Sequence, residues 1–310
     1  MKTNALKKIV LTGACGNLGR ELRATLAALA DELLSVDIVD AAFDLLPNET
    51  FENADCADFS QVLPLLEGAD MVVHFASIPD ERPFEELLGP NYLSSYNVWE
   101  AGHRQGVRRV IYASSVHAVG MASTTAGIDT DTPHAPDTFY GLAKCFTEDL
   151  GKLYWAKRGM ESVHLRIFSC TPEPQNVRAL RTWLSFDDLR HLVERSVLAH
   201  TVGFTVVYGI SNNDQAPVSN HKVAFLGYKP KDNAETFAEK LLANAPAANP
   251  QDPAQMCLGG PFATVPLGES GVAGIKAMGA APAPKATPAP TPPAATGKLP
   301  SFLSKKGMNG

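Results

Sequence analysis

Apolar residues along this chain fall into short unbroken runs separated by stretches of helical spacing. The runs are KIVLTG (8–13), LLSVD (33–37), DMVVHFAS (70–77), RRVIYASS (108–115), SVHLRIFS (162–169) and FTVVYG (204–209). Between the first two, leucines at 18, 22, 26, 29 and 33 recur every three or four residues, the spacing of one buried helical face. Further helical stretches are expected at 84–104, 139–158, 185–199 and 233–244. Strands that are apolar throughout belong in a parallel sheet covered on both faces, and strands alternating with helices supply the crossovers that build one. The pattern predicts an α/β protein with a Rossmann-type, doubly wound parallel sheet. Ser185, three residues before Asp188, reads as a capping box opening the helix at 185–199.

The periodicity stops near residue 276, where AMGAAPAPKATPAPTPPAATG is nearly all Ala, Pro, Thr and Gly. Such a stretch has too little apolar surface to offset its ordering entropy. The expected organisation is a nucleotide-binding domain over 1–247, with a small substrate-binding part embedded at 170–247. A C-terminal extension follows at 248–275, then a disordered tail at 276–310. A 310-residue chain with 45% apolar content can bury a substantial core. A net charge of −6 without a long Lys/Arg run argues against nucleic acid or an anionic membrane as partner, leaving a small molecule. Five scattered cysteines with no C-x-x-C pair favour free thiols in a reducing cytoplasm over disulfides or zinc. The histidines show no metal-ligand spacing. No apolar run is long enough for a signal or spanning segment.

The first run ends in TGACGNLG, with Gly13, Gly16 and Gly19 spaced three apart. In a Rossmann unit the first glycine permits the tight turn, the second lets backbone approach the pyrophosphate, and the third lets helix pack on strand. Asn17 and Leu18 open the helix whose N-terminal amides hold phosphate. Asp37 lies at the end of the second run, about 20 residues on, where the motif requires an acid. Its carboxylate suits two ribose hydroxyls and repels a 2′-phosphate, which points to NAD rather than NADP. Arg20 pulls weakly the other way.

Candidate chemistry lies in FYGLAK, where Tyr140 and Lys144 share one helix face. A lysine ammonium near a phenol favours the phenolate, so Tyr140 is expected to have a lowered pKa and to act as general base. Alone the pair also arises on exposed helices. However, SSVHAVG puts Ser114 and Ser115 at the end of a parallel strand, where open α/β sheets bind ligands. His117 follows closely, as a substrate contact or a wall residue.

TGACGNLG, SSVHAVG and YGLAK, in that order, resemble the extended short-chain dehydrogenase/reductase family. Longer stretches, RPFEELLGPN (82–91), RIFSCTPEPQNVRALRTWLSFDD (166–188) and FLGYKPKDNAE (225–235), are similar to bacterial NAD-dependent uronate dehydrogenases. The resemblance covers 8–245, with 261–310 expected beyond the family's usual end. It implies oxidation of the C1 hydroxyl of cyclic glucuronate or galacturonate to an aldarolactone, with Ser115, Tyr140 and Lys144 as catalytic residues. It also implies Asp37, Asp55 and Cys56 on the adenosine side and Ser169 near the nicotinamide. Arg178 matches the arginine that grips the sugar carboxylate, Asn91 matches a family asparagine, and a homo-oligomer is expected. Pro79 and Val116 stand where that group carries serine and asparagine, which leaves the substrate open. Arg181, one turn after Arg178, either faces solvent or shares a more anionic group. The rival readings are an aldose 1-dehydrogenase for a neutral or sulfonated sugar and a nucleotide-sugar epimerase or dehydratase.

Overall fold

Leu6–Thr12 (β1) enters the sheet with Ile9, Val10 and Leu11 fully buried. This is a computed structural model describing residues 6–243, 245, 249 and 251–277. All of them belong to the unit spanning 1–279. The other strands of the main sheet are β2 (Ala30–Asp37), β3 (Glu49–Asn53), β4 (Met71–His74), β5 (Arg109–Tyr112), β6 (Glu161–Ile167) and β7 (Phe204–Gly209). They lie in the order β7-β6-β5-β4-β1-β2-β3, and every pairing is parallel. The order reverses direction at β1, and the crevice opens between the ends of β1 and β4.

Side chains alternate across each strand, so the continuous apolar runs feed two separate cores. Met71 and Val73 pack with Leu22 and Leu26 of α1 (Asn17–Ala27) and with Leu189, Leu192 and Val193 of α5 (Phe186–Leu198). Val72 and Tyr112 face Val62 of α2 (Phe59–Leu65), Trp99 of α3 (Ser94–Gln105) and Leu150 of α4 (Phe139–Arg158). Both faces are thereby covered, as the unbroken runs require.

All six expected runs form strands, but four stop short, at Thr12, His74, Tyr112 and Ile167. There the chain leaves the sheet to build the crevice. The helix expected over 84–104 is split into Phe84–Leu87, a π-type turn at Leu88–Leu93 and α3. Pro90 lies inside that turn and has no N–H to continue an α ladder. In place of the helix expected at 233–244 stand two short pieces, Ala234–Phe237 and Ala238–Leu242. The Ser185 hydroxyl caps α5 by accepting from Asp188 N at 3.0 Å. The box is one-sided, because the Asp188 carboxylate instead accepts from Lys231 N and Asp232 N.

Two small parallel pairs, Ser169–Cys170 with Trp183–Leu184 and Ile128–Asp129 with Val218–Ser219, lie outside the main sheet. Helix Gly271–Ala277 occupies the start of the expected tail, and 278–310 lie outside the described residues. Among the described residues all five cysteines are free, and no helix is long and apolar enough to cross a membrane.

Candidate active site

The crevice has a nucleotide end built on the first glycine turn. Gly13 stands at φ +75°, and a Cβ there would lie 2.6 Å from the backbone N of Ala76, so only glycine lets β1 and the loop after β4 meet. A Cβ at Gly19 would run into the Gly13 carbonyl, so α1 packs against the turn with no side chain between. Gly16 precedes α1 and offers no side-chain cap, leaving the first-turn amides of an 11-residue helix free for an anion. Gly13, Gly16, Asp37, Asp55, Cys56 and Ser77 are among the residues lining the cleft. The Asp37 carboxylate is held by Cys15 N at 2.8 Å and Val39 N at 3.2 Å. Asp55 accepts from Ala57 N, and the carbonyl of buried Cys56 accepts from Asn97. Asn91 brackets Ile78, accepting from its N–H and donating to its carbonyl. A narrow turn, free helix amides and a wall carboxylate fit a dinucleotide. Asn17 and Leu18 start α1, so their amides are among these free first-turn donors.

Deeper in, two chain segments bring Ser115, Tyr140 and Lys144 together. Ser115 follows β5, bridges to Ile167, and its hydroxyl accepts from His117 N at 3.3 Å. Tyr140 lies in the first turn of α4, which Thr138 caps by accepting from Gly141 N. A hydrogen bond with Ser115 favours its ionised form. Lys144, one turn further on, has its Nζ 5.1 Å from the Tyr140 ring centre and donates to Ala113 O at 2.8 Å and Ser77 Oγ at 3.3 Å.

The expected lowering of the Tyr140 pKa is not what the fold produces. Burial pushes the phenol up to about 12, against the Ser115 hydrogen bond, with the charges of Asp137 and Asp80 adding to the rise. Burial also takes Lys144 down to about 7, opposed by Glu148. Desolvation therefore outweighs the pairwise attraction that helix spacing alone suggests.

Glu148, one more turn along α4, accepts from Ser114 Oγ at 2.6 Å and from Arg166 Nε and Nη2 at 3.0 and 2.8 Å. His134 Nε2 lies 2.8 Å from its other oxygen. Burial alone would raise this carboxyl, but the bonds from His134 and Arg166 and the charge of Arg166 hold it down to about 2. The network fixes the strand end that carries Ser115.

At the sugar end Arg178 is half-buried, and its guanidinium is already engaged. Nη1 donates to Ser169 Oγ at 3.1 Å and Nη2 to Leu258 O at 2.6 Å. Desolvation lowers its pKa to about 10, opposed by the charge of Asp137. Ser169 is thus tied to Arg178. Arg181 donates to the carbonyls of Gln215 and Thr124, so it braces backbone. Val116 is buried in an apolar cluster with Phe168, Tyr208 and Leu258, while Pro79 is exposed.

Sequence reasoning missed the segment that supplies Leu258. Gly259 N donates to Gly120 O, and Phe262 stacks on His117 with ring centres 4.0 Å apart and lies 6.4 Å from Tyr140. Glu81, fully buried, accepts from both Tyr140 N and Gly268 N at 2.8 Å. Asp80 accepts from Ser270 Oγ, Gly271 N and Val272 N. The signal was present in GGPF (259–262), a glycine pair beside an aromatic in an otherwise uninformative stretch.

The model of the NAD dependent epimerase/dehydratase family matches residues 9–180. Uronate dehydrogenase from Pseudomonas putida is 43% identical over 264 residues, which cover 85% of this chain and 98% of that protein. That length exceeds the 8–245 expected for the resemblance. A glucuronic acid dehydrogenase structure from Chromohalobacter salexigens superposes with a TM-score of 0.81 at 39% identity, covering 84% of this chain and 98% of that one. A uronate dehydrogenase from Agrobacterium tumefaciens, solved as a mutant complexed with NAD, also gives 0.81 at 40% identity, over 85% and 99% of the two chains. With its glycine turn, its serine, tyrosine and lysine, and its full-length likeness to these dehydrogenases, the chain belongs to the NAD dependent epimerase/dehydratase family and groups there with the uronate dehydrogenases.

Proposed function

We propose that the chain oxidises the C1 hydroxyl of a cyclic hexuronic acid, glucuronate or galacturonate, to the aldarolactone, with NAD as acceptor. The observation that carries this is the convergence of Ser115, Tyr140 and Lys144 between a glycine-turn cleft and a half-buried arginine. Asp37 on the cleft wall supports NAD over NADP. When bound, the oxidised nicotinamide accepts the hydride from C1. Tyr140, held protonated at rest by burial, gives up its phenolic proton on the Lys144 side so that its Oη can take the proton of the C1 hydroxyl, which Ser115 orients. Lys144, near the edge of its proton affinity at neutral pH, supports the phenolate and passes a proton toward Ser77 on the cleft wall. Arg178 offers its guanidinium to the C6 carboxylate once the carboxylate displaces Leu258 O. Phe262 and His117 close the pocket against water.

A neutral or sulfonated aldose is the second reading, supported by Val116 in its apolar cluster and by the engaged Arg178. An NADH-absorbance assay across uronates, neutral aldoses, 6-phosphosugars and 6-sulfosugars separates the two. NADH formation with galacturonate or glucuronate is expected; turnover of neutral aldoses alone would overturn the acidic substrate. Epimerised sugar without net NADH would move the chain to the epimerase reaction. Exposed Leu93 and Tyr96 near the start of α3 and Phe146 and Leu153 on α4 support assembly with further copies, which light scattering measures. The five free thiols support a reducing, cytoplasmic setting.

A further inference from the structure

We infer that Asp137 is a positioning residue that dictates which ring nitrogen of His117 is offered to the substrate. The inference rests on the sugar-oxidation reading for its consequence, but not for its geometry. The Asp137 side chain is fully buried in the loop before α4, with Oδ2 2.7 Å from His117 Nδ1. Oδ1 accepts from Thr138 Oγ1 at 2.9 Å, and that hydroxyl is itself the acceptor for Gly141 N. The Thr138 proton therefore goes to Asp137, and the carboxylate acts toward His117 only as an acceptor. Nδ1 must carry the hydrogen, which leaves Nε2 with a lone pair in the neutral ring.

The rest of the site holds that arrangement in place. A Cβ at Gly120 or Gly259 would overlap Oδ2, and one at Gly141 would sit 3.0 Å from Oδ1. Three separate segments thus come down to bare backbone around one carboxylate, and one of them is the docked C-terminal segment. Phe262 stacks on the imidazole face and Tyr140 lies edge-on at 5.6 Å, so the ring plane is fixed as well. Nε2 has no partner among the described residues and is not among their sealed polar atoms. It is a pre-set hydrogen-bond acceptor beside Tyr140 and suits a ring hydroxyl of a sugar. Asp137 touches neither the substrate nor the cofactor; it acts through His117.

Asp137→Asn reverses the polarity. With its oxygen kept on Thr138, the new amide points N–H at Nδ1, and the ring answers by moving its hydrogen to Nε2. Ring-nitrogen NMR of histidine-labelled enzyme, with the His117 signal assigned by its loss in His117→Gln, reads the tautomer directly. The wild-type enzyme is expected to show Nδ1–H and Asp137→Asn to show Nε2–H. In steady state with galacturonate, the variant is expected to raise KM about tenfold, the loss of one hydrogen bond, with a smaller change in kcat. A deoxy analogue lacking the hydroxyl that Nε2 accepts should be spared that rise. A wild-type ring that is Nε2–H or doubly protonated overturns the inference, and so does a loss equal for every analogue. Because the wild-type tautomer is read without Asp137→Asn and without substrate, a misfolded Asp137→Asn leaves the test intact. An Nδ1–H result without uronate turnover would sink the proposed function alone.

Discussion

Replacing Asp80 with alanine separates docking of the C-terminal segment from mere chain continuity. Asp80 lies in the loop after β4, only 6% exposed, and takes three hydrogen bonds from residues 270–272 at 2.6 to 3.2 Å. Hydrogen bonds to a charged group are worth about 1.5–3 kcal/mol each. Three on one carboxylate are coupled and do not add, so the set is worth about 3 kcal/mol to docking. That corresponds to about a 100-fold larger undocked population. Phe262, 2% exposed when docked, becomes a chymotrypsin site only when the segment lifts. Where opening is fast relative to cleavage, the cutting rate follows the open population. Mass-resolved cleavage after Phe262 is therefore expected to speed up about 100-fold in Asp80→Ala. A change below about threefold, with the circular dichroism of the sheet unchanged, would refute the reasoning. The same carboxylate sets an acid limit. Burial would raise its pKa, but the bonds from Ser270 and Arg82 hold it below the usual carboxylate value. Its stabilisation is thus present above that value and is lost as pH falls through the depressed one. Hydrogen exchange over 258–272 should show protection at pH 5 that disappears in stronger acid.

Tyr140→Phe removes the proton acceptor and is expected to cut kcat by about 10²–10⁴ while NAD binding, followed by fluorescence quenching, is retained. Arg178→Met should raise KM for a uronate by about 10–100-fold and leave a neutral aldose little affected; equal losses on both would make Arg178 structural. Glu148→Gln leaves buried Arg166 without its counter-charge and should cost about 3–5 kcal/mol in denaturant titrations. In the parent chain, stability from Glu148 is fully present above the ordinary value of 4.5 and is lost as pH falls from there toward 2, which melts between pH 6 and 3 would record.

Legibility in the sequence tracked how local each determinant is. The buried strands and α1 announce themselves, because parallel strands covered on both faces are apolar at every position. β3, ETFEN, does not: it is an edge strand, and its buried Glu49 is stabilised by Arg23, 26 residues earlier, at 2.5 Å. The glycine turn and the tyrosine–lysine spacing are short-range and could be read. Arg178 was legible only through resemblance, and its engagement by Leu258 O, 80 residues on, is tertiary. The Tyr140 pKa was misjudged for a related reason, since pair spacing is visible in a sequence and burial is not. Asp137 went unnoticed because its significance depends on glycines from three distant segments converging on it.

The placement of Phe262 also orders the biosynthesis of the protein. The residues that line the nucleotide cleft have all been made by Asn97, whereas the wall over His117 arrives roughly 160 residues later, about 10–30 s at typical rates of translation. During that interval strands β5 to β7 and helices α4 and α5 are made, so the cleft residues exist before the two cores that support them. Termination between codons 210 and 258 would leave the seven strands and the glycine-turn cleft in place but omit the segment that packs on His117 and Arg178.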